Sequence, residues 1–350
     1  MSDTCTVALY DVQKCGYYKR KQSDPEFGSL GEVLTEISGW AQGLSLQQTA
    51  VPGALAADGK PIWCCAVAGP SSTGDFVLTL FNPTQSVRGR VASVSPSATV
   101  GAADIESTGV KDGTVPGFPS YYYVMPNKDL VAAVTFHGFP SEMRSFQSYL
   151  RNFMKFASQH AVPRTDDKGN LVKNDDGAVE ILGYQRSEDS DVVSAEPRLN
   201  WKAKWTAALL DKIRAERGAI RKVVRRAELD TNAAEERKLV AEVFEFLHIG
   251  DGRRKLPNTV AVETFVGYTP SSIELERIIT RADLGTSWER IGFRFQDKPS
   301  KTHWLSRARA SRRLELTVAK QGIGYDAKSL LDALVQKRTL ILGRASRAAR

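Results

Sequence analysis

At 350 residues, with 42% hydrophobic and 25% charged side chains, the chain has the composition of a globular protein with room for two cores and is neither disorder-like nor fibrous. The formal net charge of +8 is unevenly spread: residues 1–160 carry 12 basic and 13 acidic side chains, whereas residues 201–350 carry 31 and 18. No apolar run approaches the roughly 20 residues of a membrane helix, and "MSDTCTVALY" has no basic segment ahead of an apolar one, so cytoplasmic residence without membrane insertion is expected.

The first predicted element is a strand, "TVALYDVQKCGYY". Next comes a helix in which Leu30, Val33, Leu34, Ile37 and Trp40 recur at helical spacing, with Ser29 as N-cap and Glu32 three positions on. "IWCCAVAGP" and "DFVLTLFNP" read as two strands joined by a Pro-Ser-Ser-Thr-Gly turn, and the Ser-, Ala-, Thr- and Gly-rich residues 91–117 as a loop. "SYYYVMP" and "LVAAVTFHG" form a hairpin turning through Asn127–Asp129. A helix from about Ser141 to His160 follows, with Met143, Phe146, Leu150, Phe153, Met154 and Ala157 on one side. Cys5, Cys15, Cys64 and Cys65 lack Cys-x-x-Cys spacing and read as reduced core thiols.

Residues 164–198 are polar and acidic and read as a linker or mobile hairpin. Beyond them, 201–227 and 232–248 read as two helices ended by Gly250. The remainder alternates strand "NTVAVETFVGY", helix "SSIELERIITRA", strands "WERIGFRFQD" and "RRLELTVAK", and helix "DAKSLLDALVQKR". The expected fold is therefore α+β. A mostly antiparallel sheet domain with packed helices occupies 1–163, the acidic segment 164–200, and a basic C-terminal α+β domain with a helical hairpin at 201–249 occupies 201–350.

Cations dominate "DKIRAERGAIRKVVRR", where only Asp211 and Glu216 oppose them. On a helix, Arg214, Arg217, Arg221 and Arg225 fall within roughly 80° of one another, apart from an apolar stripe of Leu209, Ile213, Ile220, Val224 and Ala227. Lys222 and Arg226 add to the same stretch. Further basic clusters are Arg253, Arg254 and Lys255, then Lys298 and Lys301, then Arg307, Arg309, Arg312 and Arg313, and finally Lys320. Rows of cations without internal anions fit a polyanion, with phosphate contacts dominating, so nucleic acid is the expected partner. Trp201, Trp205 and Trp304 lie beside cations and offer a base-stacking option, although one-turn spacing makes core packing the commoner explanation for the first two.

Catalytic signals are sparse. The chain lacks a Gly-x-x-x-x-Gly-Lys loop, a His-x-x-x-His pair and a Gly-x-Ser-x-Gly elbow, and His137, His160, His248 and His303 are scattered. Asp166, Asp167, Asp175, Asp176 and Glu180 are the carboxylates that a metal-dependent nuclease or nuclease-like toxin would use, but they fall in a hydrophilic segment where a solvated loop is the simpler reading. No cofactor or metal is expected.

The stretch "GFPSYYYVMPNKDLVAAVTFHGFPSEMRSFQSYL", residues 117–150, resembles the bacteriophage lambda RexA family of phage-exclusion proteins. The likeness lies in the Gly-Phe-Pro-Ser lead into an aromatic strand, the strand after it, and the Gly-x-Pro before a helix. A fainter likeness runs through "ELERIITRADLGTSWERIGFRFQDKPSKTHW" and "LELTVAK". The resemblance implies a non-enzymatic, dimer-forming binder of double-stranded DNA that signals infection to a membrane effector protein, with Lys298, Lys301 and Lys320 near the DNA. Val318 stands where the pattern leads one to expect another cation, and 201–249 has no counterpart in it. The expected function is thus sequence-independent DNA binding in phage exclusion or abortive infection; a nuclease, or a scaffold for an acidic protein, is the alternative.

Overall fold

The computed structural model describes residues 2–56, 59–84, 92–105, 113–136, 141, 143–174, 178–205, 207–230, 259–284, 290–297, 299–305 and 310–343. In chain order the first part comprises β1 (Ser2–Lys19), α1 (Leu30–Ala41), β2 (Trp63–Ala68), β3 (Phe76–Pro83), β4 (Ala92–Val94), β5 (Val115–Met125), β6 (Leu130–Phe136), α2 (Met143–Phe156), β7 (Ala161–Pro163), β8 (Ile181–Tyr184) and β9 (Ala195–Ala203). Then come α3 (Ala207–Ala215), β10 (Ile220–Asp230), β11 (Thr259–Gly267), α4 (Ser272–Leu284), β12 (Arg290–Phe295) and β13 (Thr302–Trp304). The chain closes with β14 (Ser311–Thr317), β15 (Lys320–Gln321), β16 (Gly324–Tyr325), α5 (Ala327–Gln336) and α6 (Arg338–Leu342). Helices and antiparallel ladders together make the α+β fold that the sequence pattern implies. Among the described residues no helix is long and apolar enough to cross a membrane.

The chain divides into two compact units. One comprises residues 1–85, 91–202 and 311–350, and the other residues 86–90 and 203–310. The last forty residues therefore return to the first unit, whereas the basic composition groups them with the C-terminal part. The cause is a long-range pairing, β14 running antiparallel to β1 from Ser2 opposite Thr317 to Ala8 opposite Ser311.

The first unit is built on a sheet of order β14-β1-β6-β5-β3-β2, with β4 added to β5 and β9 to β1. Its central strands are closed on both faces. Three consecutive tyrosines show how: successive strand residues point to opposite faces, yet Tyr121, Tyr122 and Tyr123 are all fully buried. Tyr122 meets Phe146 of α2 at 5.0 Å, while Tyr121 meets Tyr325, next to α5, at 5.7 Å and accepts a hydrogen bond from the Tyr325 backbone N–H at 3.0 Å. Helix α1 starts at its predicted cap, with the Glu32 N–H donating to Ser29 Oγ at 3.3 Å, and buries Leu30, Val33, Leu34 and Ile37. Helix α2 buries Met143, Phe146, Leu150, Phe153 and Met154, each such side chain contributing about 1.5–3 kcal/mol.

The segment 91–117 is not all loop. It contains β4, buried throughout, and the start of β5 against which β4 pairs. The acidic segment also carries order: β8 pairs with β7, and Asp166 closes a turn by accepting from the backbone N–H of Lys168 (2.9 Å) and of Asn170 (2.8 Å).

In the second unit the sheet order is β11-β10-β12-β13. Both β11 and β12 run antiparallel to β10, hence parallel to each other, and α4 makes the crossover between them, a split β-α-β arrangement. Leu210 and Ile213 from α3 and Leu275 and Ile279 from α4 bury against Ile220, Phe293, Phe295 and Leu305 on one face of this sheet.

The helix expected over 201–227 does not form. Residues 195–203 are a strand, the helix spans only Ala207–Ala215, a single 3-10 turn follows at Arg217–Ala219, and Ile220–Asp230 is a strand. Gly218 in a helix interior costs roughly 1 kcal/mol, and the β-branched Ile220, Val223 and Val224 fit a sheet flanked on both sides by partner strands better than an isolated helix. The predicted second helix of the hairpin, 232–248, lies outside the described residues.

Candidate nucleic-acid interface

Because strand side chains alternate, the residues that face the helices fix those that face away. On β12, Ile291, Phe293 and Phe295 belong to the core of the second unit, so Gly292 and Arg294 lie on the opposite, outer face. The register assigns their neighbours. Val224 stands opposite Phe265 on one side and Gly292 on the other, and Gly292 stands opposite Trp304. The next rung holds Gly267, Lys222, Arg294 and Thr302. On the far side of the Val224 rung, Arg226 stands opposite Glu263. The outer face is thus a row with an aromatic ring on each outer strand, bordered by cations.

Packing on this face is specific. The Arg294 guanidinium sits 4.5 Å from the centroid of the Phe265 ring, and its Nε donates to Thr302 Oγ1 at 2.9 Å. A cation over an aromatic face at an exposed site contributes about 0.5–1 kcal/mol. Gly292 permits the close approach of β13: a Cβ there would lie 2.7 Å from Thr302 Cγ2 and 3.0 Å from Trp304 Cε3. Phe265 remains 44% exposed, Lys222 is exposed, and Arg294 and Trp304 are half-buried. Arg226 approaches Glu263 at 3.7 Å, both partly exposed, a pairing that water and salt weaken.

The four arginines placed on one helical stripe are distributed otherwise. Arg214 on α3 makes a two-pronged contact with Glu276 of α4, Nε to Oε1 at 2.7 Å and a terminal nitrogen to Oε2 at 3.0 Å, and hydrogen bonding to that carboxylate raises its pKa further. Arg217 lies in the 3-10 turn and donates to the Pro270 carbonyl at 3.1 Å. Arg221, at a bulge in β10, donates to the Gly218 carbonyl at 2.9 Å and to the Gln296 side chain. Arg225 is exposed and shares the strand face of Val223, opposite Ile291. The stripe is therefore not a surface; Lys222 and Arg226, beside it in sequence, are the members that reach the outer face.

Of the other predicted contacts, Lys301 is exposed just before β13. Arg312 and Arg313 are exposed on β14, and Lys320 on β15 pairs with Asp3 at 3.3 Å; all three belong to the first unit. Arg253, Arg254, Lys255, Lys298, Arg307 and Arg309 lie outside the described residues. Phe265 and Arg294 are missing from the sequence-based set. The alternation in "RIGFRF" identifies Arg294 once the strand's inner face is known, and Phe265 emerges only from the register of β11 on β10.

Trp201 and Trp205 do not form a stacking platform: Trp201 packs edge-on against Tyr10 at 5.0 Å, and Trp205 packs against the core of the second unit. Two of the carboxylates considered for a nuclease, Asp166 and Glu180, are used locally. Asp166 is a turn residue whose pKa is lowered chiefly by the Asn170 N–H, and Glu180 pairs with Arg164 at 3.3 Å. Asp175 and Asp176 lie outside the described residues, and among the described residues no group of three or more His, Cys, Asp and Glu could hold a metal ion. The first unit has a cavity of about 1060 Å3 along α1, lined by Phe27, Glu36, Trp40, His160 and Arg186 among others. Glu36 within it clasps the end of α2, accepting from Ser158 Oγ at 3.1 Å and from the Gln159 N–H.

No family model, curated protein or solved structure matches this chain.

Proposed function

We propose that this chain binds DNA without reading its sequence, through the outer face of the sheet in the second unit, and acts in the cytoplasm as the sensing component of a phage-exclusion or abortive-infection system. The observation that carries the binding is the grouping of Lys222, Arg226 and Arg294 with Phe265 and Trp304 on one sheet face, where Lys222 and Phe265 are exposed. Cations there gain affinity by releasing counterions from phosphates, a sequence-independent contribution. The assignment to phage exclusion rests on the RexA resemblance at 117–150, as do homodimer formation and a membrane effector as downstream partner. Among the described residues the face holds cations and rings, and its carboxylate Glu263 is paired with Arg226, which favours binding over chemistry.

The test is the salt dependence of binding. Affinity for DNA should fall linearly on a log–log plot as salt rises, with a slope of about −0.9 per phosphate neutralised on a duplex. The triple variant K222E/R226E/R294E should shed about two to three units of that slope. An unchanged affinity and slope would remove the face from the contact surface.

A further inference from the structure

Resting on that reading, we infer that the DNA taken by this face is single-stranded, with separate bases stacked on Phe265 and Trp304 and the backbone held by Lys222 and Arg226. Strand geometry supplies the first reason. Phe265 and Trp304 lie on the two outer strands of β11-β10-β12-β13, three inter-strand spacings or about 14 Å apart. With side chains added, such a face is wider than the roughly 12 Å major groove of a duplex, which admits a two-stranded ribbon or a helix and not the flat of a four-stranded sheet. A duplex could lie on this face only through its phosphates, leaving both rings idle.

A splayed single strand uses them. Bases stacked in a duplex are about 3.4 Å apart along each strand, far closer than the two strands that carry the rings. The arrangement therefore calls for unstacked bases, each on its own platform, and only a single strand can present these without breaking pairs. The Phe265 platform is already extended by Arg294, whose guanidinium carbon lies 4.5 Å from the ring centroid and whose Nε is held by Thr302. Guanidinium planes and aromatic rings both stack bases.

The experiment compares the full chain with F265L, F265W, W304F and the triple charge reversal. The probes are a fluorescein-labelled oligothymidylate of about 20 nucleotides and a mixed-sequence duplex of similar length, at about 0.1 M salt. Oligothymidylate should bind at least roughly tenfold more tightly than duplex, and F265L should lose roughly 5- to 150-fold of that affinity, the range for one stacking platform. F265W should restore it, which a merely structural role for the ring would not. Tryptophan fluorescence should be quenched on binding, and less so in W304F. Because Phe265 is 44% exposed on an outer strand, F265L keeps the test informative even where a change at Trp304 disturbs folding. Salt-sensitive binding of duplex equal to or tighter than oligothymidylate, with F265L silent, would overturn the single-strand inference and leave the DNA-binding proposal standing. Failure of both probes to bind would overturn both.

Discussion

The two main sheets of this molecule use aromatic side chains in opposite ways. In the first unit, Tyr121, Tyr122 and Tyr123 alternate between two faces and all disappear from solvent, because helices cover both. In the second, Phe293 and Phe295 go inward to α3 and α4, while Phe265, on the other face, stays in contact with water and a guanidinium. The rings of the first sheet are packing units, whereas Phe265 keeps 44% of its surface exposed. The charges follow the same division. Asp75, fully buried in the first unit, is held by Arg338 Nε (2.7 Å), Tyr123 Oη (2.6 Å) and Thr73 Oγ1 (2.7 Å), whereas Lys222 is exposed and Arg294 half-buried.

The largest effect that sharpens this contrast comes from the buried ion pair. Arg338→Ala should destabilise the first unit by about 3–5 kcal/mol, because it leaves the Asp75 carboxylate enclosed without its cation. Chemical denaturation would show this, and a midpoint equal to wild type would mean that solvent reaches Asp75. Next in size is a matched pair of aromatic truncations. Phe146→Ala, which removes a fully buried ring, should cost about 3–5 kcal/mol of stability with no direct loss of DNA binding. Phe265→Ala should change stability by only about 0.5 kcal/mol and act on binding instead. Similar stability losses from both would erase the distinction between closed and open sheets.

Much of the closed sheet was legible from sequence because its signals are local. Ser29 ahead of a helical apolar stripe, the Pro-Ser-Ser-Thr-Gly turn between two apolar runs, and Asn127–Asp129 between β5 and β6 each declare themselves within a dozen residues. Residues 201–227 failed for the complementary reason. Lys, Arg and Ala favour helices on their own, and the β-branched Ile220, Val223 and Val224 favour extension decisively only once β11 and β12, distant in sequence, flank them. The return of β14 to β1 is likewise invisible to periodicity, since two runs some 300 residues apart must be known to pair. For the proposed site, the helical reading and the strand found there pick out different faces. The cations of 211–226 mark the region, but a 3.6-residue period selects Arg214, Arg217, Arg221 and Arg225, whereas the strand period selects Lys222 and Arg226.

That difference can be measured. Arg214→Ala breaks an exposed pair with Glu276, so it should cost about 1 kcal/mol of stability or less and leave the DNA affinity unchanged. Lys222→Ala should weaken DNA binding and reduce the salt slope by about one unit, with little effect on stability. If Arg214→Ala impaired binding while Lys222→Ala did not, the contact surface would be on α3 rather than the outer sheet face.

The smallest expected effect concerns how α4 is held beneath that sheet. Glu274 is the third residue of the helix and Ser271 its N-cap. The Ser271 N–H donates to Glu274 Oε2 at 2.9 Å, and the Glu274 N–H donates to Ser271 Oγ at 3.3 Å. Hydrogen bonds from the Ser271 hydroxyl first, then from the Tyr268 hydroxyl and the Ser271 N–H, lower the Glu274 pKa from 4.5 to about 2. A carboxylate with a depressed folded-state pKa contributes stability above its unfolded value, and that contribution drains away as pH falls through the folded one. The window here runs from about 4.5 down to about 2. Glu274→Gln lacks the charge at every pH, so its unfolding midpoint should lie below wild type near neutrality. The two curves should converge as pH drops through that window, because wild-type Glu274 is then protonated as well. Parallel curves would place the source of any difference outside the capping carboxylate, and with it the charge that anchors the start of α4 on the inner side of the sheet.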